Sequence, residues 1–181
     1  MGVLLKLTEE YFDEDKVRME DRFISNINEM KLVDIDENID VYFADIDLVV
    51  NDKDSFTYYE MLDFYDKILK RGWDLPHCDK IDKYFYKETF PHKAKDYIQS
   101  DWRQNVGGVI LNTKTGVRLR FDSNRDYSED YWCAPHPNDS EKFANSGGFE
   151  VTFPKYYGVV TKYNNFPKTD KCKIRLVKYK K

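Results

Sequence analysis

The chain contains little cysteine, and the cysteines it has are far apart. Only three occur in 181 residues, Cys78, Cys133 and Cys172. An odd number without close spacing does not make a disulfide framework, and at most one pair could form. We therefore expect reduced thiols in a chain that is made in the cytoplasm.

The sequence also lacks a long apolar run and an excess of basic charge. No window approaches the run of about 18 apolar residues that a membrane-spanning helix needs, and the apolar run at residues 3–5 is too short for a signal peptide. The net charge is −4 and the pI about 5.5, and the only basic cluster is Lys178, Lys180 and Lys181 at the end. Binding along a nucleic acid usually needs a concentrated basic face. We expect neither membrane insertion nor nucleic-acid binding.

The chain is rich in aromatic and charged residues. Aromatics make up 16% and charged residues 34% of the sequence. So many aromatics argue against disorder, and the length suits one domain with a small appendage. We expect an N-terminal extension over residues 1–38 that contains a helix, followed by a domain over residues 39–181. The helix is indicated by an irregular apolar stripe at Phe12, Phe23, Ile24, Ile27 and Met30.

Two helices are predicted after a strand at residues 41–50. Thr57 and Glu60 form a capping box that begins the first helix, and Gly72 suits its C-terminal cap. The expected apolar stripe of this helix is Tyr58, Leu62, Tyr65 and Leu69, widened by Met61 and Ile68.

The short segment between these helices combines Gly72, Trp73, Leu75 and Pro76. It indicates a helix stop, a buried tryptophan and an extended connection fixed by the proline. His77 or Asp79 can then cap the second helix, whose apolar positions are Ile81, Tyr84 and Phe85.

From residue 107 the pattern changes to short strands. Residues 107–112 and 117–121 predict one hairpin around Gly116, residues 149–153 and 158–163 predict another, and residues 173–179 predict a last strand. A long polar loop is expected between the hairpins, from Asp122 to Gly148. A loop of this length is usually functional or disordered.

This order of elements resembles the Fibrobacter succinogenes major paralogous domain family, which is common in gut bacteria and their phages. The resemblance covers about residues 41–181 and is carried by Phe56-Thr57, the segment 72–77, Tyr131-Trp132-Cys133 and the segment 174–178. Asp74, His77 and Cys133 stand where the family usually has Arg, Thr and Ser. The resemblance implies an α+β, C-type-lectin-like fold in which two helices frame a small, mostly antiparallel sheet and a long loop region is displayed.

The resemblance and the composition favour a non-enzymatic protein module with a binding or structural role. We expect a bacteriophage virion protein that displays a lectin-like domain for attachment to a host-surface glycan or protein. Residues 1–38 would then contact other virion proteins or a second copy of the chain. The alternative is an intracellular phage protein that inhibits a host factor, since an acidic chain suits a basic partner surface. The fold alone does not decide between them.

Candidate ligand-binding residues lie in the long loop and at the tip of the second hairpin. Aromatic rings stack on sugars and anchor protein interfaces, although Trp132 can equally belong to the core, as the matching residue of the family does. The candidates are Tyr131, Trp132, His136, Asn138, Asp139, Tyr156 and Tyr157.

No metal, cofactor or catalytic site is predicted. Pro137-Asn138-Asp139 matches only part of the calcium-binding sequence signatures of sugar-binding lectins. The alternating acids of residues 34–40 have Ile39 where a calcium-binding EF-hand loop requires Gly. His77, Cys78 and His92 fit no standard zinc spacing. Cys133 and His136 could pair, but no third group or oxyanion hole accompanies them.

Overall fold

The computed structural model describes residues 23–85, 102–104, 108–121, 128–144, 148–152, 160–163 and 166–181. Within them the chain is α+β, which confirms the predicted class. The helices are α1 (Tyr58–Lys70) and α2 (Cys78–Phe85). The strands are β1 (Leu32–Val33), β2 (Val41–Ala44), β3 (Trp102–Gln104), β4 (Val109–Asn112), β5 (Arg118–Arg120), β6 (Ser128–Trp132), β7 (Phe143–Ala144), β8 (Gly148–Thr152), β9 (Val160–Tyr163), β10 (Phe166–Pro167) and β11 (Val177–Tyr179).

The described strands form small antiparallel sheets. Their orders are β1-β2-β11, β3-β4-β5, β6-β8-β9 and β10-β7. Both predicted hairpins are confirmed as β4-β5 and β8-β9. The first turns through Gly116, whose φ of +77° is a conformation that glycine adopts readily. β2 and β11, from opposite ends of the described chain, pair in one sheet.

Helix α1 has the predicted ends but a different buried face. The Thr57 hydroxyl accepts from the Glu60 amide, and the Glu60 carboxylate accepts from the Thr57 amide, which completes the capping box. The buried side chains are Tyr58, Met61 and Ile68, whereas Leu62 and Leu69 are 40% and 42% exposed. The predicted stripe is therefore wrong at both leucines. Residues 62 and 69 each follow a fully buried residue, so they are turned about 100° away from the core.

The connection between the helices is built as predicted. Gly72 has a φ of +79° directly after α1, while Trp73, Leu75 and Pro76 are buried. Asp74 forms an antiparallel bridge with Val177 through two 2.8 Å backbone hydrogen bonds. Helix α2 then begins at Cys78, one residue after His77, and buries Ile81, Tyr84 and Phe85 as expected.

The predicted boundary at residue 38 does not match the packing. Phe23 and Ile27 lie in the same core cluster as Ile68 and Trp132, and Ile35 lies in a second cluster with Phe43. β1 is also paired with β2. Residues 23–38 therefore belong to the domain that follows. Residues 23–38 contain a 3-10 turn (Ile27–Glu29) and β1, so this part of the expected helical stripe is not an α-helix. The rest of the expected extension, residues 1–22 with Phe12, lies outside the described residues.

The expected loop from Asp122 to Gly148 is also partly wrong. The described part of this segment contains all of β6 and β7. Tyr131 and Trp132 lie in β6, where the Trp132 Nε1–H donates to the Phe56 carbonyl at 2.7 Å. Within the described part of this segment, the residues between β6 and β7 form an irregular loop.

Candidate functional site

The candidate site is the segment of residues 135–143, called here the 135–143 loop, which leaves the buried end of β6. Two candidate residues precede it. Tyr131 and Trp132 are both 0% exposed, so the structure places them in the core and not on a ligand-binding surface. Large aromatic rings that are fully buried contribute through burial and packing and not through contact with a ligand in solvent. Their role is to fix where the loop begins.

Hydrogen bonds hold the start of the loop in one conformation. The Ala134 amide donates to the Pro76 carbonyl at 2.9 Å, which ties the segment to the connection before α2. The His136 amide and the Tyr58 hydroxyl both donate to Asp139 Oδ2, at 3.1 and 2.7 Å. Burial, and then this bond to Asp139, raise the pKa of Tyr58, so its hydroxyl remains a donor.

The part of the loop beyond these anchors faces solvent. Pro137, Asn138, Ser140, Glu141 and Lys142 are exposed. Phe143, at the start of β7, is 42% exposed. The loop therefore presents an amide, charged groups and an aromatic ring from a backbone that hydrogen bonds anchor to the rest of the domain.

One side of the loop lies against the beginning of helix α2. Cys78, Asp79 and His136 each bring one donor atom to within 4.8 Å of the other two. The Cys78 thiol donates to Asp79 Oδ1 at 3.5 Å, and His136 Nε2 is 3.5 Å from Asp79 Oδ2. Cys78 is buried, whereas the Asp79 side chain is 69% exposed.

The tautomer of His136 follows from its other contact. Nδ1 accepts a hydrogen bond from the Asn138 amide at 3.1 Å. The neutral ring therefore carries its proton on Nε2, which faces the Asp79 carboxylate. In this form His136 connects α2 to the turn at residues 136–139.

The acidic run at residues 34–40 has an internal cation as its partner. Lys180 Nζ donates to Asp34 Oδ1 at 2.7 Å and to the Asp36 carbonyl at 2.9 Å. Lys80 Nζ donates to Asp40 Oδ2 at 2.8 Å, and this bond lowers the pKa of Asp40. The ammonium of Lys180 thus bonds both the Asp34 carboxylate and the Asp36 backbone carbonyl of this run.

A buried ionic network lies elsewhere in the core. Arg175 is 0% exposed, donates through Nε to Asp47 Oδ1 at 2.8 Å, and stacks on Phe121 with 4.5 Å from Cζ to the ring centroid. The Tyr131 hydroxyl donates to Asp47 Oδ2 at 3.1 Å. Burial raises the pKa of Asp47, while Arg175 opposes that rise. Because these side chains are buried, the network lies in the core and not on the exposed surface of the 135–143 loop.

Of the predicted binding residues, the structure brings together His136, Asn138 and Asp139. Asp139 acts inside the loop, since it accepts from Tyr58 and from His136. Tyr156 and Tyr157 lie outside the described residues. The sequence reasoning missed Cys78 and Asp79 as neighbours of His136, because 57 residues separate Asp79 from His136.

The buried Cys133 lies next to the loop, and all three cysteines are free thiols.

Comparisons with protein-family models, with curated proteins and with solved structures find no match to this chain. Among the described residues, no helix combines the length and apolar character needed to cross a bilayer.

Proposed function

We propose that this chain is a non-enzymatic binding module whose 135–143 loop contacts a ligand. The observation that carries the proposal is that the loop is both ordered and exposed. Tyr58 and Asp139 fix its backbone, while Asn138, Lys142 and Phe143 face solvent. An ordered loop loses little conformational entropy on binding, so its contacts contribute more fully to affinity.

The ligand is a glycan or a protein on the surface of a host cell. The exposed ring of Phe143 can stack on the apolar face of a sugar or enter a pocket of a protein. The amide of Asn138 can both donate and accept hydrogen bonds, which suits hydroxyl-rich ligands. These groups project from different positions of one loop and can act on the same ligand.

The setting proposed for this activity is a bacteriophage particle in which the chain displays a C-type-lectin-like domain. The α+β class, the built Gly-Trp-x-Leu-Pro connection and the core position of Trp132 support this assignment. Because residues 23–38 pack into the domain, we assign the contacts with other virion proteins or with a second copy to residues 1–22. The native masses of the full chain and of residues 23–181 test this role. An oligomer that becomes a monomer supports it, and equal oligomeric states contradict it.

Binding of the purified chain to glycan arrays and to intact host cells tests the proposed function. Saturable binding to one glycan class or surface protein is the expected result. The acidic net charge of −4 favours a second candidate, an inhibitor of an intracellular host factor. Absence of surface binding, together with a stoichiometric host protein captured from lysate, would support the second candidate over the first.

A further inference from the structure

We propose that Cys78, Asp79 and His136 form a binding site for a divalent transition-metal ion such as Zn²⁺. These residue types are ordinary zinc ligands, and their donor atoms already lie within 4.8 Å of one another. The site joins two separate parts of the chain, the first turn of α2 and the 135–143 loop. Metal binding there does not depend on whether the loop binds a glycan or a protein. An experiment that refutes the metal site therefore leaves the proposed function untouched, and the reverse also holds.

The distances suit a tetrahedral ion. With Zn–S near 2.3 Å and Zn–N and Zn–O of 2.0–2.1 Å, neighbouring ligand atoms of a tetrahedral site lie about 3.3–3.6 Å apart. The Cys78 Sγ to Asp79 Oδ1 distance and the His136 Nε2 to Asp79 Oδ2 distance are both 3.5 Å, and they end on the two different oxygens of the Asp79 carboxylate. Because an ion would take one of these oxygens from Asp79, the exposed carboxylate has to turn to place that oxygen beside both Sγ and Nε2. Three protein ligands leave the fourth position to water.

The chemistry of the donors selects the class of ion. A thiolate and an imidazole favour Zn²⁺ and similar transition metals, whereas Ca²⁺ and Mg²⁺ prefer sets of oxygen ligands. Cys78 is the first residue of α2, so its sulfur lies beside both Asp79 and His136 of the 135–143 loop. The exposed Asp79 carboxylate gives an ion access from solvent.

Metal binding has a consequence for the loop. In the hydrogen-bonded geometry described above, the proton of neutral His136 is on Nε2, since Nδ1 accepts from the Asn138 amide. When Nε2 binds the ion, that proton leaves and Nδ1 takes one up, so Nδ1 no longer accepts and the Asn138 amide turns away. The Cys78 thiol gives its proton to the solvent. We therefore expect the metal to change the conformation of residues 136–139.

Titration of the untagged, reduced full chain with Co²⁺ tests the site. The expected result is one Co²⁺ per chain, with the visible bands of tetrahedral Co²⁺ and a sulfur-to-cobalt charge-transfer band, both abolished by added Zn²⁺. The band is lost in Cys78→Ala and retained in Cys172→Ala, which removes another buried free thiol. A chain that shows no sulfur-to-cobalt band, or a band that survives Cys78→Ala, overturns the proposal.

Two surface variants keep the test valid if Cys78→Ala does not fold. Asp79→Asn and His136→Gln should each weaken Zn²⁺ binding by at least about 100-fold, since loss of even an outer-shell partner costs about 10–100-fold. His77→Gln is the matched control, because His77 adjoins Cys78 but contacts Asp74. Unchanged Zn²⁺ affinity in both variants overturns the proposal. In NMR spectra of the wild type, the Asn138 amide resonance should shift when Zn²⁺ binds.

Discussion

At the scale of single residues, one buried ion pair holds together distant parts of the chain. Arg175 donates to Asp47, to the Ala44 carbonyl and to the Arg120 carbonyl, so one side chain connects residues up to 131 positions apart. Tyr131 and Lys173 complete the surroundings of Asp47, at 3.1 and 3.8 Å. Such a network is unlike the surface pairs of this chain, because water cannot replace a lost partner.

Replacement of Arg175 by Met should therefore be strongly destabilising. The variant leaves the buried Asp47 carboxylate without its main partner, and breaking a buried pair costs about 3–5 kcal/mol of the free energy of unfolding. Urea denaturation of the wild type and the variant measures this change. Lys53→Met is the matched control, since Lys53 is 62% exposed and pairs with Glu60 at the surface, where a pair contributes about 0–1 kcal/mol. A cost below about 1 kcal/mol for Arg175→Met would contradict the account.

At the scale of elements, local sequence signals determine where helix α1 begins and ends. Its N-terminus is fixed by reciprocal hydrogen bonds between Thr57 and Glu60, at 3.3 and 2.8 Å. Its C-terminus is fixed by Gly72, where a Cβ atom would meet only the end of the Lys178 side chain at 3.8 Å. The glycine is thus required by its positive φ and not by lack of space.

The capping box gives a second prediction. Thr57→Ala removes the hydroxyl that accepts from the Glu60 amide, and we expect the free energy of unfolding to fall by about 1 kcal/mol. Thr57→Ser keeps that hydroxyl and should leave the free energy of unfolding nearly unchanged, since Ser caps a helix at least as well as Thr. Thermal and urea denaturation of both variants, followed by circular dichroism, measure the difference. Equal stabilities of the two variants would show that the hydroxyl does not cap α1.

The elements that sequence reasoning located correctly are those with local signals. The capping box, Gly72 and the turn at Gly116 each depend on residues close in the chain, and the structure contains all of them. The exposure of Leu62 and Leu69 was missed because the spacing of apolar residues does not by itself show which side of a helix packs against the core. β6 was mistaken for loop because its pairing with β8 depends on residues 16 or more positions away.

The candidate site could be predicted only in part for the same reason. His136, Asn138 and Asp139 are neighbours in sequence and in space, whereas Tyr58 and Asp139 are 81 residues apart. No pattern within the sequence indicates that a tyrosine on α1 orders this loop, or that Lys180 neutralises Asp34.

At the scale of the whole molecule, surface carboxylates make stability depend on acid pH. A hydrogen bond from Lys80 lowers the pKa of Asp40, and one from the Thr57 amide lowers the pKa of Glu60. A carboxyl whose folded pKa lies below its unfolded value of about 4 stabilises the fold above that value. This contribution is lost as the pH falls through the folded pKa.

We therefore expect the free energy of unfolding to decrease below about pH 4, and to decrease less in the variant Asp40→Asn/Glu60→Gln. Urea denaturation at several pH values from neutral to strongly acidic measures both slopes. The control Asp63→Asn/Glu37→Gln changes two exposed carboxylates of the same types. If the first variant and the control lose stability equally with acid, Asp40 and Glu60 are not the groups responsible.

The central claim is that the molecule binds its ligand through the 135–143 loop. The measurement that tests it most directly is the affinity of the Asn138→Ala/Phe143→Ala variant for the ligand found on the arrays or host cells. The control Leu32→Ala/Glu37→Ala removes one apolar and one charged exposed side chain outside the loop. We predict affinity at least about 100-fold weaker for the loop variant, as expected when a central aromatic anchor is lost, and unchanged affinity for the control. Equal affinities of the loop variant and the wild type would contradict the account.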